Sequence, residues 1–463
     1  MLRHERRQRA SGCFTRSLLL LAVAALALAA LSAFWVGGAP KVELEPKLPG
    51  IGRNTPIDVV LDDAGRATRL RVELVQQGKA LPVAERTFAP RPQWKLFGGG
   101  EPQTVTVGVG RDTVKGLRSG PATVRATVER AGSWARTPAP VVAEVELPVR
   151  LAPPALGVLS LHHFAAQGGS ECVVYQVGPT AVRDGVRSGA WWFPGHPLPG
   201  AGKGARFALF GIPYDLDDPS KIRLTAFDDV GNEAAVGFVD QFKRRPPGTD
   251  TIEVDDRFMN KVVPEILGNS PELDDRGGLL ENYLAINREL RKKNNERLKQ
   301  LARRSARRFL WDQAFLPMAN TAITAAFADR RTYLYNGREI DQQYHLGFDM
   351  ASVERDAVPA SNRGVVLLAG YFGIFGNAVV LDHGYGLQSL YGHFSTIEVA
   401  EGQRVERGQT LGRSGQTGLA GGDHLHFTML LGGLPVHPVE WWDPHWIQDR
   451  VARKLGRALP FKP

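Results

Sequence analysis

Ser17 to Val36 form an unbroken run without a charged residue, SLLLLAVAALALAALSAFWV. Helix at about 1.5 Å per residue makes this run long enough to cross a hydrocarbon core of ~30 Å. A short proline-bearing linker follows, residues 38–50. From about Ile51 to Arg150 the pattern changes to period two, as in Leu70-Arg71-Val72-Glu73-Leu74, Val105-Thr106-Val107 and Val124-Arg125-Ala126-Thr127-Val128. Glycine clusters such as Phe97-Gly98-Gly99-Gly100 punctuate these runs. Short alternating strands separated by turns predict a β-sandwich over 51–150.

A second β-rich piece is expected over 151–248. Its stretch Leu224 to Glu233 resembles the last hairpin of bacterial immunoglobulin-like modules, a signal of ten residues only. Trp191-Trp192-Phe193 reads as core aromatics. His162 and His163 are adjacent, so on a strand they point to opposite faces and do not form a metal pair. Pro246-Pro247-Gly248 marks a boundary. Beyond it the period becomes helical: Leu279, Leu280, Tyr283, Leu284, Ile286 and Leu290 form one apolar stripe, and helix is predicted from Asp255 to Trp311. A helical connector over 249–314 then leads into strands and turns over 315–448, with a tail at 449–463. The fold class is mainly β, with an amino-terminal transmembrane helix, Ig-like β modules and the helical connector ahead of a carboxy-terminal β domain.

Charge changes this picture in two places. The formal net charge of the 463 residues is +9. Residues 1–16, ahead of the apolar run, carry Arg3, Arg6, Arg7, Arg9 and Arg16 against Glu5. By the positive-inside rule this tail stays cytoplasmic and everything beyond the anchor at 17–37 is exported. A cleaved signal peptide is the competing reading. Its apolar region is usually shorter, and Pro40 makes a poor start for a mature chain, so the uncleaved anchor is the expectation. The second excess lies at 291–308, where nine Lys/Arg face one acid, Glu296. Two readings stand for it: a patch for lipid head groups or an anionic polymer, and a solvated helix face. Because the basic residues are local, no nucleic-acid partner is expected. The two cysteines, Cys13 and Cys172, fall on opposite sides of the anchor and cannot pair, so Cys172 is expected to be a buried thiol.

The candidate chemistry is concentrated between His345 and His426. His345 and Asp349 are four residues apart, Tyr391-Gly392-His393 follows, and His424-Leu425-His426 closes the stretch. An imidazole, a carboxylate four residues on and a third imidazole far downstream can make a three-ligand zinc site with an open fourth position. The histidines left over can move protons. His424 and His426 share a face if the stretch is a strand. Gly347 lowers crowding where backbone must approach the site. His383, His437 and His445 read as structural histidines.

These motifs, in this order, resemble the lysostaphin-like zinc metallopeptidases, the M23 or LytM-type family. Flanking stretches agree. Ile323 to Arg330 resembles the family's opening segment with Ala328 where glycine is usual, Val379 to Gly384 the strand before the first catalytic histidine, and Val405 to Gly412 the family's glycine turn. Two departures are Asp423, where proline is common, and Thr428, where an acid is frequent. The resemblance implies a LytM-type antiparallel β metallopeptidase domain at 315–448. It implies Zn2+ held by His345, Asp349 and His426, with His393 and His424 as the catalytic pair.

The activity it implies is hydrolysis of peptide cross-links in peptidoglycan, with stem peptides as substrate. The catalytic domain would lie in the periplasm, on a single-pass inner-membrane protein. Glycine bridges and another exported protein stay open as substrates. Two other classes stay open as well: a non-catalytic activator of cell-wall amidases, and an envelope scaffold whose β modules bind protein partners. The complete ligand set distinguishes this chain from degenerate relatives that have lost theirs.

Overall fold

The computed structural model describes residues 5–93, 95 and 100–462. Arg3 of the basic tail, the turn residues Phe97, Gly98 and Gly99, and Pro463 lie outside them. The chain folds into two compact units, residues 1–153 with 228–232, and residues 154–227 with 233–463.

The first unit begins with the helix Glu5–Phe34. Its stretch Ser17–Phe34 is long and apolar enough to cross a membrane, and none of that stretch is buried inside the protein. A β-sandwich follows. One sheet orders Val42–Pro46, Thr55–Leu61 and Gln103–Val109. The other orders Lys79–Thr87, Ala67–Gln76, Gly120–Arg130 and Val141–Val149. The period-two pattern is what builds the core. Leu70, Val72 and Leu74 on one sheet, and Ile57, Val59 and Leu61 on the other, are buried, while the residues between them reach solvent.

The second unit opens with two four-stranded sheets. One orders His196–Pro197, Ala205–Gly211, Ser170–Val177 and Leu156–Val158. The other orders Trp191–Pro194, Ala181–Ser188, Ile222–Asp228 and Glu233–Val236. Phe193 is buried, and Cys172 is a buried free thiol. His163 is buried and His162 exposed, but neither lies on a strand: His162 sits in a left-handed backbone conformation with φ of 61°, just ahead of the strand Phe164–Ala166. The core of these sheets runs without a break into that of the carboxy-terminal domain, from Phe193, Phe207 and Phe210 to Leu434, Val436 and Trp441. The expected tail packs into the same core: it is helical as far as Ala458 and buries Val451, Leu455 and Leu459. Lys454 from this tail pairs at 2.6 Å with Glu171, both nearly inaccessible to solvent. Removing either partner of such a pair strands a buried charge, at a cost of about 3–5 kcal/mol.

The connector departs from a single long helix. It starts as a strand, Thr249–Val254, that pairs in parallel with Asp329–Tyr335. Asp255 then caps the helix Asp256–Asn269 by accepting from the Phe258 amide at 2.7 Å. Pro271 and the pair Gly277-Gly278 interrupt the helical pattern, and helix resumes over Leu279–Ala302 with one wider turn at Ile286–Leu290. From Arg303 to Thr321 the chain has no regular helix, because it lies against the sheet: Asp382 accepts from Ser305 Oγ and the Ala306 amide, and Leu310 donates to the His383 carbonyl. In the basic run, Asn294, Leu298 and Leu301 face inward while Lys292, Lys293, Arg297, Arg303, Arg307 and Arg308 are exposed.

The carboxy-terminal domain is an antiparallel sheet ordered Ala322–Ala325, Phe348–Ala351, Leu425–Leu431, Leu387–Phe394, Asn377–Gly384, Gly364–Tyr371 and Arg404–Val405. A smaller sheet of Thr249–Val254, Asp329–Tyr335 and Arg338–His345 joins it at His345. The register places the site. Asp349 lies opposite His426, and His426 opposite Gly392, one residue from His393.

Candidate metal centre and active site

Three side-chain atoms converge on one point. His345 Nε2 is 3.0 Å from Asp349 Oδ1 and 3.1 Å from His426 Nδ1, and that Nδ1 is 2.9 Å from Asp349 Oδ1. All three residues are buried. The far nitrogen of each ring is occupied. His345 Nδ1 lies 2.9 Å from the Ala326 carbonyl, which can only accept, so the proton sits there and Nε2 is bare. Thr428 Oγ1 donates to the Leu346 carbonyl at 3.1 Å, so it accepts from His426 Nε2 at 3.0 Å, and Nδ1 is bare as well. With neutral rings, two lone pairs and a carboxylate oxygen then face one another with no proton among them. Such a set is repulsive by itself and fits a cation.

Asp349 is further fixed by Arg331, whose Nη2 donates to the other carboxylate oxygen, Oδ2, at 2.9 Å. Without a cation, protons on the surrounding rings take its place: burial would raise the Asp349 pKa, but the charge of a protonated His345 and hydrogen bonds from protonated His345, His424 and His426 outweigh it. The carboxyl is held well below its ordinary range. Burial dominates at His426 and pushes it down to about 4. Gly347 is required by close packing, since a Cβ there would lie 2.6 Å from the His426 ring and from Thr428 Oγ1.

His393 and His424 stand beside this cluster, their ring centroids 4.8 Å apart. His393 Nδ1 donates to the Thr417 carbonyl at 2.8 Å, which leaves Nε2 for the site. Its backbone has φ of 66°, a left-handed conformation that non-glycine residues seldom adopt and that is often found at functional sites. Burial, and the neighbouring His424 and His426, hold it well below the usual imidazole range. His424 Nδ1 donates to the Gly422 carbonyl at 2.9 Å, and its Nε2 lies 3.6 Å from Asp349 Oδ1. Burial pulls His424 down, yet the hydrogen bond and charge of Asp349 prevail and its pKa is raised.

All five residues therefore line one cavity of about 430 Å³. Its opposite wall comes from the connector and its strand: Ile252, Glu253, Asp255, Phe258 and Tyr283. Sequence reading did not pick out Arg331, Ala326, Thr417 or Thr428 as contributors. Thr428 alone had an available signal, being two residues from His426 on the same strand face. Asp423 braces the turn before His424, accepting from Ser414 Oγ and the Arg355 amide. His383 is not part of the cluster. It is fully buried between the Arg363 carbonyl and Ser389 Oγ.

Residues 343–438 match peptidase family M23. The carboxy-terminal domain is a peptidase M23 domain. Over 123 residues the chain is 36% identical to the DD-carboxypeptidase/endopeptidase Mpg of Neisseria meningitidis, covering 27% of each chain. Over 96 residues it is 40% identical to the peptidoglycan DD-endopeptidase ShyA of Vibrio cholerae, covering 21% of this chain and 22% of ShyA. The chain thus spans about a quarter of the length of these curated relatives. Among solved structures, the catalytic domain of the antimicrobial peptidase lysostaphin from Staphylococcus simulans aligns at 22% identity. It covers 31% of this chain and 96% of that one, with a TM-score of 0.21. The family match covers residues 343–438, so the sandwich of the first unit is described by its own geometry.

Proposed function

We propose that this protein is a zinc-dependent endopeptidase that cuts peptide cross-links of peptidoglycan. The observation that carries the reading is the convergence of three bare acceptor atoms, from His345, Asp349 and His426, beside two imidazoles in one cavity. The similarity of the M23 domain to peptidoglycan DD-endopeptidases supports the substrate class. Bound zinc would lower the pKa of water towards ~7 and polarise the scissile carbonyl.

The protein's own groups would do the rest. His393, with Nδ1–H anchored on Thr417, presents a bare Nε2 that takes the proton of the attacking water. His424, held by the Gly422 carbonyl and facing Asp349, donates a hydrogen bond to the developing oxyanion and then a proton to the leaving amine. Arg331 and Thr428 keep Asp349 and His426 in one orientation. The complete donor set supports a hydrolase over a non-catalytic activator.

The apolar helix is read as an uncleaved inner-membrane anchor, with residues 1–16 cytoplasmic and the M23 domain in the periplasm. Protease added outside spheroplasts should remove the exported domains; a mature amino terminus at Pro40 or beyond would overturn the anchor. For the activity, purified peptidoglycan is digested with the zinc-loaded protein and the products are identified by mass. Cross-linked fragments should fall to monomers. Intact cross-links after digestion with fully loaded protein would overturn the assignment, and loss of zinc from His426→Ala tests the ligand set.

A further inference from the structure

The end of the apolar helix is held by the sandwich of the first unit. The Ala135 amide donates to the Ala33 carbonyl at 3.0 Å, and Gln93 Nε2 donates to the Ser32 carbonyl at 2.5 Å. These are last-turn carbonyls with no partner further along the helix. Beyond them, Arg130 Nη1 donates to the Gly38 carbonyl at 3.1 Å, and the Arg91 guanidinium lies over the Trp35 ring. The loops doing this are tied together from inside. Arg66, 7% exposed, donates to the carbonyls of Arg91, Ala131 and Gly132. Gly37, with φ of 77°, passes so close to Arg66 that a Cβ there would meet its side chain at 3.1 Å.

Among the described residues of this arrangement, one large side chain stands out by its exposure. Trp134, at the tip of the loop between Gly120–Arg130 and Val141–Val149, is 89% exposed. It shares a hollow of about 730 Å³ with Leu26, Ala29, Ala33 and Phe34 of the helix. Leu26 to Phe34 is about 12 Å of helix at 1.5 Å per residue. The indole is therefore set alongside the last two turns of the apolar segment, not above its end. Residues 131–140 contain no acid, and Arg136 in the loop is exposed. An exposed indole level with the last turns of a spanning helix matches the membrane–water interface, where Trp is favoured on both sides of the bilayer.

We propose that the 131–140 loop is a membrane-seating element: Trp134 inserts into the outer-leaflet interface of the bilayer and fixes the sandwich against the membrane surface. This rests on reading the helix as an anchor. Its occupant is the lipid surface, because the hollow is continuous with the helix face that lipid would cover.

The full chain, with Cys13→Ser as background, is reconstituted in vesicles of phosphatidylethanolamine and phosphatidylglycerol. A polarity-sensitive fluorophore is placed in turn at Trp134→Cys, at Leu26→Cys in the helix, and at Lys79→Cys, at the far end of the sandwich strands. Cys172 is buried and remains unlabelled. The labels at 26 and 134 should emit in the blue and be quenched at least twofold by lipids carrying a nitroxide on the acyl chain, and the label at 79 should be unaffected. An aqueous label at 134 with a quenched label at 26 would overturn the seat and leave the anchor standing. Aqueous labels at both positions would overturn the two together. Because Trp134 is exposed, its replacement leaves the sandwich core untouched.

Discussion

Arg331 donates Nη2 to Oδ2 of Asp349 at 2.9 Å, and Oδ1 of the same carboxylate turns to His345 and His426. One oxygen is thereby occupied by a guanidinium and the other is left for the candidate metal. Charge, orientation and burial act together here, since Arg331 is half-buried between Asp349 and Asp250. Arg331→Ala should leave the fold intact and weaken zinc binding about 10–100-fold, the usual effect of losing a group that orients a ligand. Arg331→Lys should recover part of it, because a point charge cannot reproduce the directed contact. Thr428→Val should fall in the same direction through His426. Competition with a fluorescent zinc chelator checks all three; unchanged affinity in Arg331→Ala would remove the orienting role.

His393 and His424 should matter for rate and little for metal. Each makes its anchoring hydrogen bond to a backbone carbonyl, Thr417 or Gly422, outside the three-atom cluster. Loss of a general acid or base costs typically ~10²–10⁴-fold. His393→Ala and His424→Ala should therefore retain zinc by metal analysis and lose kcat by about that factor. Parent rates in both, with zinc retained, would contradict the proposed mechanism.

Glu440 supplies a pH test away from the site. It is buried, accepts from the Ser170 amide at 2.7 Å and from Arg245 at 2.9 Å, and burial pushes it up to about 7 despite these partners. Its pKa is raised on folding, so between about 4.5 and 7 the folded state binds more protons than the unfolded one. Its contribution to stability is then greatest at the acid end of that window and declines as pH rises to 7, by on the order of 2–3 kcal/mol. Glu440→Gln should flatten that slope in denaturant titrations at pH 5 and pH 7.5. An unchanged slope would show that Glu440 titrates normally.

Much of this molecule is legible in the sequence because its signals are periodic or local. The alternation around Leu70–Leu74 and Val124–Val128 fixes which side of each strand is buried. The spacing of His345, Asp349 and His426 falls on paired strands, so the register brings them together. What escaped detection depends on contacts between distant segments. Nothing near Arg331 announces that it faces Asp349, since that contact crosses two sheets. The carbonyls of Ala326 and Thr417, which orient His345 and His393, carry no side-chain signature at all. The connector was harder still. Its apolar stripe is helical and the break at 270–278 falls on Pro271 and Gly277-Gly278, but the strand at 249–254 is set by its packing against Asp329–Tyr335, which local propensity does not report.

That packing gives the last prediction. The helix Asp256–Asn269 is fastened to the loop that precedes His424. Lys261 Nζ donates to Gln416 Oε1 at 2.8 Å and to the Ala420 carbonyl at 3.2 Å, and Glu265 Oε1 accepts from the Gly418 amide at 2.8 Å. Thr417, in the same loop, holds His393. With Phe258 and Tyr283 on the cavity wall, the connector narrows the approach to both histidines. Two readings make opposite predictions: a restraint on the enzyme, or a rigid part of the groove that substrate needs. Deleting the whole segment would not separate them, because Thr249–Val254 is a strand of the site's own sheet. Lys261→Ala with Glu265→Ala loosens only the fastening. We expect a rise in kcat/KM on peptidoglycan of several-fold, with zinc occupancy unchanged, because a loosened helix opens the cavity to a polymeric substrate. A fall in rate with the fold and zinc retained would show instead that the helix is a working wall of the groove.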